Sequence, residues 1–227
     1  MADLISSEVP EIKDPIIKRI IFLVLPFIVI GIYISILYLT LTAERFEILL
    51  GLMVIYFFPP AGKESVIPLG IAMGFPGYVM ATTIAMMDVA AALFMIFNFD
   101  LALRIPIFGK WINKFMETGN ALFMKYSWLE GLSLIGLILF VIIPFQGSGG
   151  FGGSILGRIF GLPPLHLFLG IATGAFIGSY FIAIGFEFAT SVLAINPLWL
   201  ALAIIVVVII ASAANYLYKK GKGGEDS

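Results

Sequence analysis

Two adjacent charged residues, Lys63 and Glu64, lie inside an apolar stretch that cannot cross a membrane as one helix. Proline removes a backbone donor and clashes with the preceding turn, so we predict breaks at these residues: Pro59, Pro60, Gly62 and Pro68. The flanking segments, 46–58 and 65–75, would rise only ~20 and ~16 Å, against a hydrocarbon core of ~30 Å. The pattern predicts a re-entrant helical hairpin with a charged tip, buried in protein or lining a wet cavity.

Acidic residues at this depth are candidates for proton coupling. Partial desolvation favours the neutral form of a carboxylate, so Glu64 could load and release protons. Asp88, in the middle of the apolar run 76–98, is the second candidate. Two alternatives stay open: the hairpin spans the membrane and leaves Glu64 among lipid headgroups, or Asp88 is a structural partner of Lys63 or Arg158, since buried charges are usually paired.

Positive charge and glycine-rich backbone suggest an anion site at the hairpin tips. Lys63 and Arg158 would supply the charge, and the segment Ser148, Gly149 and Gly150 could present N–H groups at a helix N-terminus. Together they suit a phosphate. In the alternative interpretation the glycines only permit a tight turn, and Arg158 extends to the inner membrane surface.

The pattern around the first hairpin returns 87 residues later. LGIAMGFP at 69–76 reappears as LGRIFGLP at 156–163, and the second copy also follows a break, at Pro144 and Gly147. We predict two repeats, 46–98 with its hairpin at 46–75 and 131–188 with its hairpin at 131–162. Paired interrupted segments indicate a transporter binding site.

Composition identifies an all-α integral membrane protein. Hydrophobic residues make up 61% of the 227 residues, only 12% are charged, and mean hydropathy is +1.10. Cysteine is absent and histidine occurs once, which excludes disulfides and thiol catalysis and argues against a zinc site. We expect no metal, no cofactor, no nucleic-acid partner and no enzymatic activity.

Four full spans are predicted in a single transmembrane domain, 16–218. The spans cover 16–42, 76–98, 164–188 and 197–218, and the tails are 1–15 and 219–227. The amphipathic connector, 99–128, is predicted to lie on the membrane surface; the alternative is a helix packed against the rest of the protein. The distribution of Lys and Arg places both termini in the cytoplasm of a plasma-membrane protein. The hairpins then enter from opposite faces, which makes the repeats inverted.

The motifs carry a family resemblance. KESVIPLGIAMGFP, then a span with Asp88, then IPFQGSGGFGGSILGRIFGLP resembles the putative small multidrug export protein family, within the wider DedA superfamily, over residues 45–190. The resemblance implies facing re-entrant hairpins, an essential acidic residue at Glu64, a second acidic residue at Asp88, and movement of lipids that is proton-coupled or passive. The DedA branch carries several arginines in its second hairpin, whereas only Arg158 is present here.

These features predict a transporter, proton-coupled, for an amphipathic or lipid-phosphate substrate such as a polyprenyl phosphate or a phospholipid. Its partners would be membrane lipids, protons and a second copy of the chain. A small-molecule exporter is the alternative, and a non-transporting membrane-organising factor is the third hypothesis.

Overall fold

The protein is all-helical wherever the structure describes it. The computed structural model describes residues 16–58, 61–99, 101, 133–144 and 147–195. Seven helices lie in these ranges: α1 (Ile16–Thr40), α2 (Ala43–Tyr56), α3 (Lys63–Ala72), α4 (Gly77–Phe97), α5 (Ser133–Ile142), α6 (Gly150–Ile159) and α7 (Pro164–Ile195). Three segments are long and apolar enough to cross a membrane: Arg19–Thr40, Gly77–Phe97 and Pro164–Ala194. The predicted class, an all-helical membrane protein, therefore holds for this part of the chain.

Several predicted segments lie outside the described residues. They are both tails, nearly all of the connector 99–128, the last span 197–218, and Pro59 and Pro60 at the first break. Among the described spans, α7 continues to Ile195, beyond the predicted end at 188. Glu187 lies inside this helix, and its Oε1 accepts a hydrogen bond of 2.8 Å from the N–H of Gly77.

Four helices are too short to cross a bilayer. α2 has 14 residues and α3, α5 and α6 have 10 each, which corresponds to ~21 and ~15 Å at 1.5 Å per residue. α2 packs against α3, and α5 packs against α6. We call α2 with α3 the first helix pair and α5 with α6 the second helix pair.

The break in the first helix pair begins and ends two residues earlier than predicted, since α2 ends at Tyr56. α3 begins at Lys63, with Gly62 as its N-cap, two residues before the predicted resumption at Ser65. Pro68 lies inside α3, so the prediction that it interrupts the helix is wrong. At the sixth position its missing N–H removes one helical bond, to the carbonyl of Glu64, and the helix continues.

The repeated motif encodes how α3 and α6 end. Both helices start and stop 87 residues apart, Lys63 to Ala72 and Gly150 to Ile159. After each one, a hydrogen bond of 3.0 Å closes the last turn, from Phe75 N–H to the Gly70 carbonyl and from Leu162 N–H to the Gly157 carbonyl. The glycines inside these turns, 74 and 161, have φ of 88° and 67°, a left-handed conformation that glycine adopts without steric cost.

The long helix α4 forms the centre of the described structure. In the apolar stretch of α4, 72% of the residues are buried, against 11% in that of α1. α1 therefore lies at the periphery. α7 packs against α4 in the opposite direction: Thr82 Oγ1 and the Tyr180 hydroxyl are 2.8 Å apart, and Gly77 contacts Glu187 further along α7. α4 therefore packs between α1 on the periphery and α7, with Asp88 midway along it.

Candidate functional site

A buried carboxylate midway along α4 is the centre of the site. Asp88 is 2% exposed. Its Oδ1 accepts hydrogen bonds from the Tyr56 hydroxyl at 2.7 Å and from the Gly150 N–H at 2.9 Å. Its Oδ2 lies 3.6 Å from the Lys63 ammonium. Charge-assisted hydrogen bonds and an opposite charge are what a buried carboxylate requires to stay ionised.

Lys63 is the positive partner and is as deeply buried as Asp88. It is 1% exposed, and its Nζ donates a hydrogen bond of 2.6 Å to the carbonyl of Val141, in the last turn of α5. A helix carries partial negative charge at its C-terminus and partial positive charge at its N-terminus. The ammonium thus faces the C-terminal end of α5 while the carboxylate faces the N-terminal end of α6, and the second helix pair complements both charges.

Four helix ends meet at this ion pair. Tyr56 is the last residue of α2, Lys63 is the first of α3, and Gly150 is the first of α6, while Val141 is the penultimate residue of α5. Each contributes one contact to Asp88 or Lys63. The tips of both helix pairs are therefore held together by one buried ion pair.

The two helix pairs reach Asp88 from opposite ends of α4. At the outer end of the first helix pair, Arg45 Nη1 donates to the carbonyl of Gly74 at 3.4 Å, next to the start of α4. At the outer end of the second, Arg158 Nη2 donates to the carbonyl of Ile96 at 3.0 Å, one residue from the end of α4. The guanidinium carbon of Arg158 also lies 4.2 Å from the centre of the Phe99 ring.

Glu64 lies at the tip but outside this network. It is the second residue of α3 and is half-buried. Within the described residues, its Oε2 is buried and no hydrogen bond reaches it. The carboxylate folds back over Gly62, because a Cβ built on Gly62 would overlap with Oε1. Glu64 thus adds a second acidic group at a tip where the charges of Lys63 and Asp88 already cancel.

The glycines of the second tip allow backbone to contact Asp88. A Cβ on Gly149 would overlap with the Asp88 carboxylate, and one on Gly150 would overlap with the Asp88 backbone carbonyl. Gly147 has a φ of 86°, and Ser148 Oγ donates to the carbonyl of Ile143 at 2.7 Å, which closes the turn after α5. Close approach, in addition to turn formation, explains why glycine is needed here.

The predicted anion site is only partly brought together. Lys63, Gly149 and Gly150 meet at Asp88, but Arg158 lies in the last turn of α6 rather than at a tip. α6 is continuous from Gly150, so eight residues separate the two by ~12 Å along the helix. Pro144 directly follows the turn in which α5 ends, as expected of a residue that begins the second break.

Sequence reasoning missed two groups of the network, Tyr56 and the Val141 carbonyl, and one acidic residue outside it, Glu187. Tyr56 could have been found from the sequence, because it is a polar phenol in an apolar run just before the break. The Val141 carbonyl could not, because any residue can supply a backbone carbonyl. Glu187 was passed over because it falls inside an apolar run. Of the two ion-pair partners considered for Asp88, the structure has Lys63. Among the described residues, no group of three histidine or acidic side chains could hold a metal ion.

Comparison with known proteins identifies a family. A search of the curated proteins and a search of the solved structures each found no match. The model of the putative small multidrug export protein family matches residues 64–182, more than half of the 227 residues. The matched range begins at Glu64 and contains Asp88, the tip of the second helix pair and the first part of α7, whereas Tyr56 and Lys63 precede it. This chain belongs to the putative small multidrug export protein family.

Proposed function

We propose that this protein is a proton-coupled membrane exporter in which two re-entrant helix pairs meet near the middle of the bilayer. The observation that carries the proposal is the buried Lys63–Asp88 ion pair at the meeting point of the tips. Charged groups at this depth are costly, and they typically mark ion or substrate pathways. The family's description as export proteins supports a transport role.

Re-entrance is supported by helix lengths and by the contacts at the outer ends. The four paired helices are each shorter than a bilayer, and their tips converge on the twelfth of the 21 residues of α4. The first helix pair contacts the start of α4 and the second contacts its end. Pairs that enter from opposite faces, with second helices 87 residues apart, form an inverted repeat, an architecture that allows alternating access to a site at mid-depth.

The two acidic residues take different roles in the proposal. Asp88 holds the tips together, because three groups from three different helices contact its carboxylate. Glu64 carries the proton, because its buried Oε2 accepts no hydrogen bond from the described residues that would oppose protonation. Protonation of Glu64 would also leave the Lys63–Asp88 pair intact.

The substrate proposed is an amphipathic small molecule. A lipid phosphate, which the predicted kinship with the DedA superfamily would imply, is the second candidate. It is less well supported, because the Lys63 ammonium and the Gly150 N–H already bind Val141 and Asp88. We place the protein in the plasma membrane with both termini in the cytoplasm, and we expect proton dependence to exclude a non-transporting role.

Transport in proteoliposomes tests the proposal. Purified protein would be reconstituted with a panel of cationic, neutral and anionic amphipathic dyes and a fluorescent polyprenyl phosphate, each assayed with and without a proton gradient. We expect at least one dye to move faster under the gradient and Glu64→Gln to abolish the acceleration. Glu47→Gln is the matched control, because it makes the same change at an exposed residue of α2. If no compound responds to the gradient, the protein is not a proton-coupled exporter.

A further inference from the structure

The Glu64 carboxylate is an acidic group for which the described structure provides no counter-ion. Its closest positive neighbour in the chain, Lys63, points away from it, toward Asp88 and the Val141 carbonyl. Buried Oε2 accepts no hydrogen bond from the described residues. An unpartnered buried carboxylate oxygen is unfavourable, so a proton or a cation bound at Oε2 would stabilise it.

The charges that face Glu64 from the neighbouring helices do not change this balance. On its own helix Lys63 is positive, and from α4 Asp88 cancels it. Between Ser133 and Ile142, α5 has no ionisable side chain. On α2, Glu44, Arg45 and Glu47 lie in the first two turns, at the opposite end from Tyr56. The ionisable groups of α7 lie elsewhere: His166 is near its start, and Glu187 binds the N–H of Gly77. Counting Lys63, Asp88 and Glu64, the tip has a formal charge of −1 when Glu64 is ionised.

Three aromatic residues lie at the tip of the first helix pair. Tyr56, Phe57 and Phe58 occupy the end of α2 and the turn that follows, and the rings of Tyr56 and Phe57 lie 6.2 Å apart. Phe57 and Phe58 are 62% and 65% exposed. The Tyr56 hydroxyl is hydrogen-bonded to Asp88, at the same tip. Aromatic faces recognise quaternary ammonium and similar organic cations, and a carboxylate at the same tip would supply the opposite charge.

We propose that Glu64 binds an organic cation in exchange for its proton, with the aromatic residues 56–58 contacting the apolar part of that cation. This inference rests on the proposed exporter function and specifies its substrate class. The Glu64 O–H bond breaks, the proton passes to water, and the cation's positive charge takes its place beside the carboxylate. Because one group serves both ligands, proton and cation exclude each other.

Mutual exclusion provides the coupling without any other charged residue. A protonated Glu64 has no charge to offer a cation, and a cation-bound Glu64 has none to offer a proton. Each binding event leaves the tip with the same formal charge, so the Lys63–Asp88 pair faces the same electrostatic surroundings in both states. Exchange across the membrane then moves one proton inward for each cation moved outward.

Binding of tetraphenylphosphonium to purified protein tests the inference. In weakly buffered detergent solution we expect about one proton to be released for each cation bound. The apparent affinity should fall by up to about tenfold for each unit decrease in pH, the limit for a single exchanged proton. Tetraphenylborate, which has the same shape and the opposite charge, should neither compete with tetraphenylphosphonium nor release a proton. Glu64→Gln should lose tetraphenylphosphonium binding and proton release, whereas Glu47→Gln should keep both.

A second variant guards against misfolding. Glu64→Asp keeps the carboxylate on a shorter side chain, so it should bind the cation more weakly and still release a proton. Wild-type affinity for tetraphenylphosphonium in Glu64→Gln, or cation binding without proton release in the wild type, would overturn the inference. Neither result would affect the exporter proposal, which depends on whether the proton gradient accelerates any compound of the transport panel.

Discussion

The two helix pairs share a backbone plan but differ in the chemistry of their tips. The second helix of each pair has the same length and the same closing turn, 87 residues apart. In the first pair, positions 63 and 64 carry Lys and Glu; in the second, the equivalent positions carry Gly150 and Phe151. One tip therefore contributes charged side chains, and the other contributes backbone N–H and carbonyl groups.

This difference shows how two charges can be buried with few polar side chains. Helix ends carry partial charges of their own, and the second helix pair presents both kinds at one place. Lys63 binds a carbonyl at the C-terminal end of α5, and Asp88 binds the first N–H of α6. Glycine at the second tip is the condition for this arrangement, since a Cβ at Gly149 or Gly150 would overlap with Asp88.

The largest effect is expected from removing the charge of the first tip. Lys63→Met leaves Asp88 buried without its counter-ion, and breaking a buried ion pair typically costs about 3–5 kcal/mol. The free energy of unfolding, from an SDS titration, measures the loss. Adding Asp88→Asn removes the uncompensated charge, so the double variant should be more stable than Lys63→Met alone. If Lys63→Met were as stable as the wild type, the Lys63–Asp88 ion pair would not hold the tips together.

The next effect concerns the backbone of the second tip. Gly150→Ala introduces a Cβ that overlaps with the Asp88 carbonyl, and we expect a loss of about 3 kcal/mol, the upper part of the range for overpacking, because backbone cannot rotate away. Gly51→Ala, in α2, is the matched control, since nothing lies within 4 Å of its Cβ. Equal melting temperatures for the two variants in detergent would contradict the close approach.

Much of the fold was predictable from particular residues. Hydropathy identified the spans that correspond to α1, α4 and α7, and the motif LGxxxGxP marked the closing turns of α3 and α6. Pro68 misled the prediction because one lost bond does not end a helix that is otherwise well formed. The candidate pair Lys63 and Asp88 was foreseeable as two opposite charges in an apolar chain, whereas Tyr56 and Val141 depend on tertiary contacts that local sequence does not encode.

A smaller effect is expected from Tyr56, which links the end of α2 to the ion pair. Tyr56→Phe removes the 2.7 Å hydrogen bond to Asp88 and keeps the ring. We expect a loss of about 1.5 kcal/mol, the lower end for bonds to charged groups, because Oδ1 retains the Gly150 N–H. Tyr38→Phe, at an exposed residue of α1, provides the control in the same unfolding assay. If Tyr56→Phe lost no more stability than Tyr38→Phe, the Tyr56 hydrogen bond would not contribute to the site.

The smallest effects should come from the outer ends of the helix pairs. Arg158→Gln removes a hydrogen bond and a cation–π contact, and we expect a loss of about 0.5–1 kcal/mol. Arg45→Gln removes only a long hydrogen bond of 3.4 Å and a ring contact at 5.8 Å, so about 0.5 kcal/mol or less is expected. A larger loss of stability for Arg45→Gln than for Arg158→Gln would contradict the stronger contacts assigned to Arg158.

The central claim is that the two helix pairs enter the membrane from opposite faces and meet at Asp88. The absence of cysteine from the chain makes single-cysteine labelling with an impermeant maleimide possible without background. For the first helix pair, Glu44→Cys and Met73→Cys should both label from outside intact cells. For the second, Ile135→Cys and Leu165→Cys should label only after the cytoplasmic face is opened. Labelling of the two positions of either pair from opposite faces would show that its helices cross the membrane, and would contradict the account.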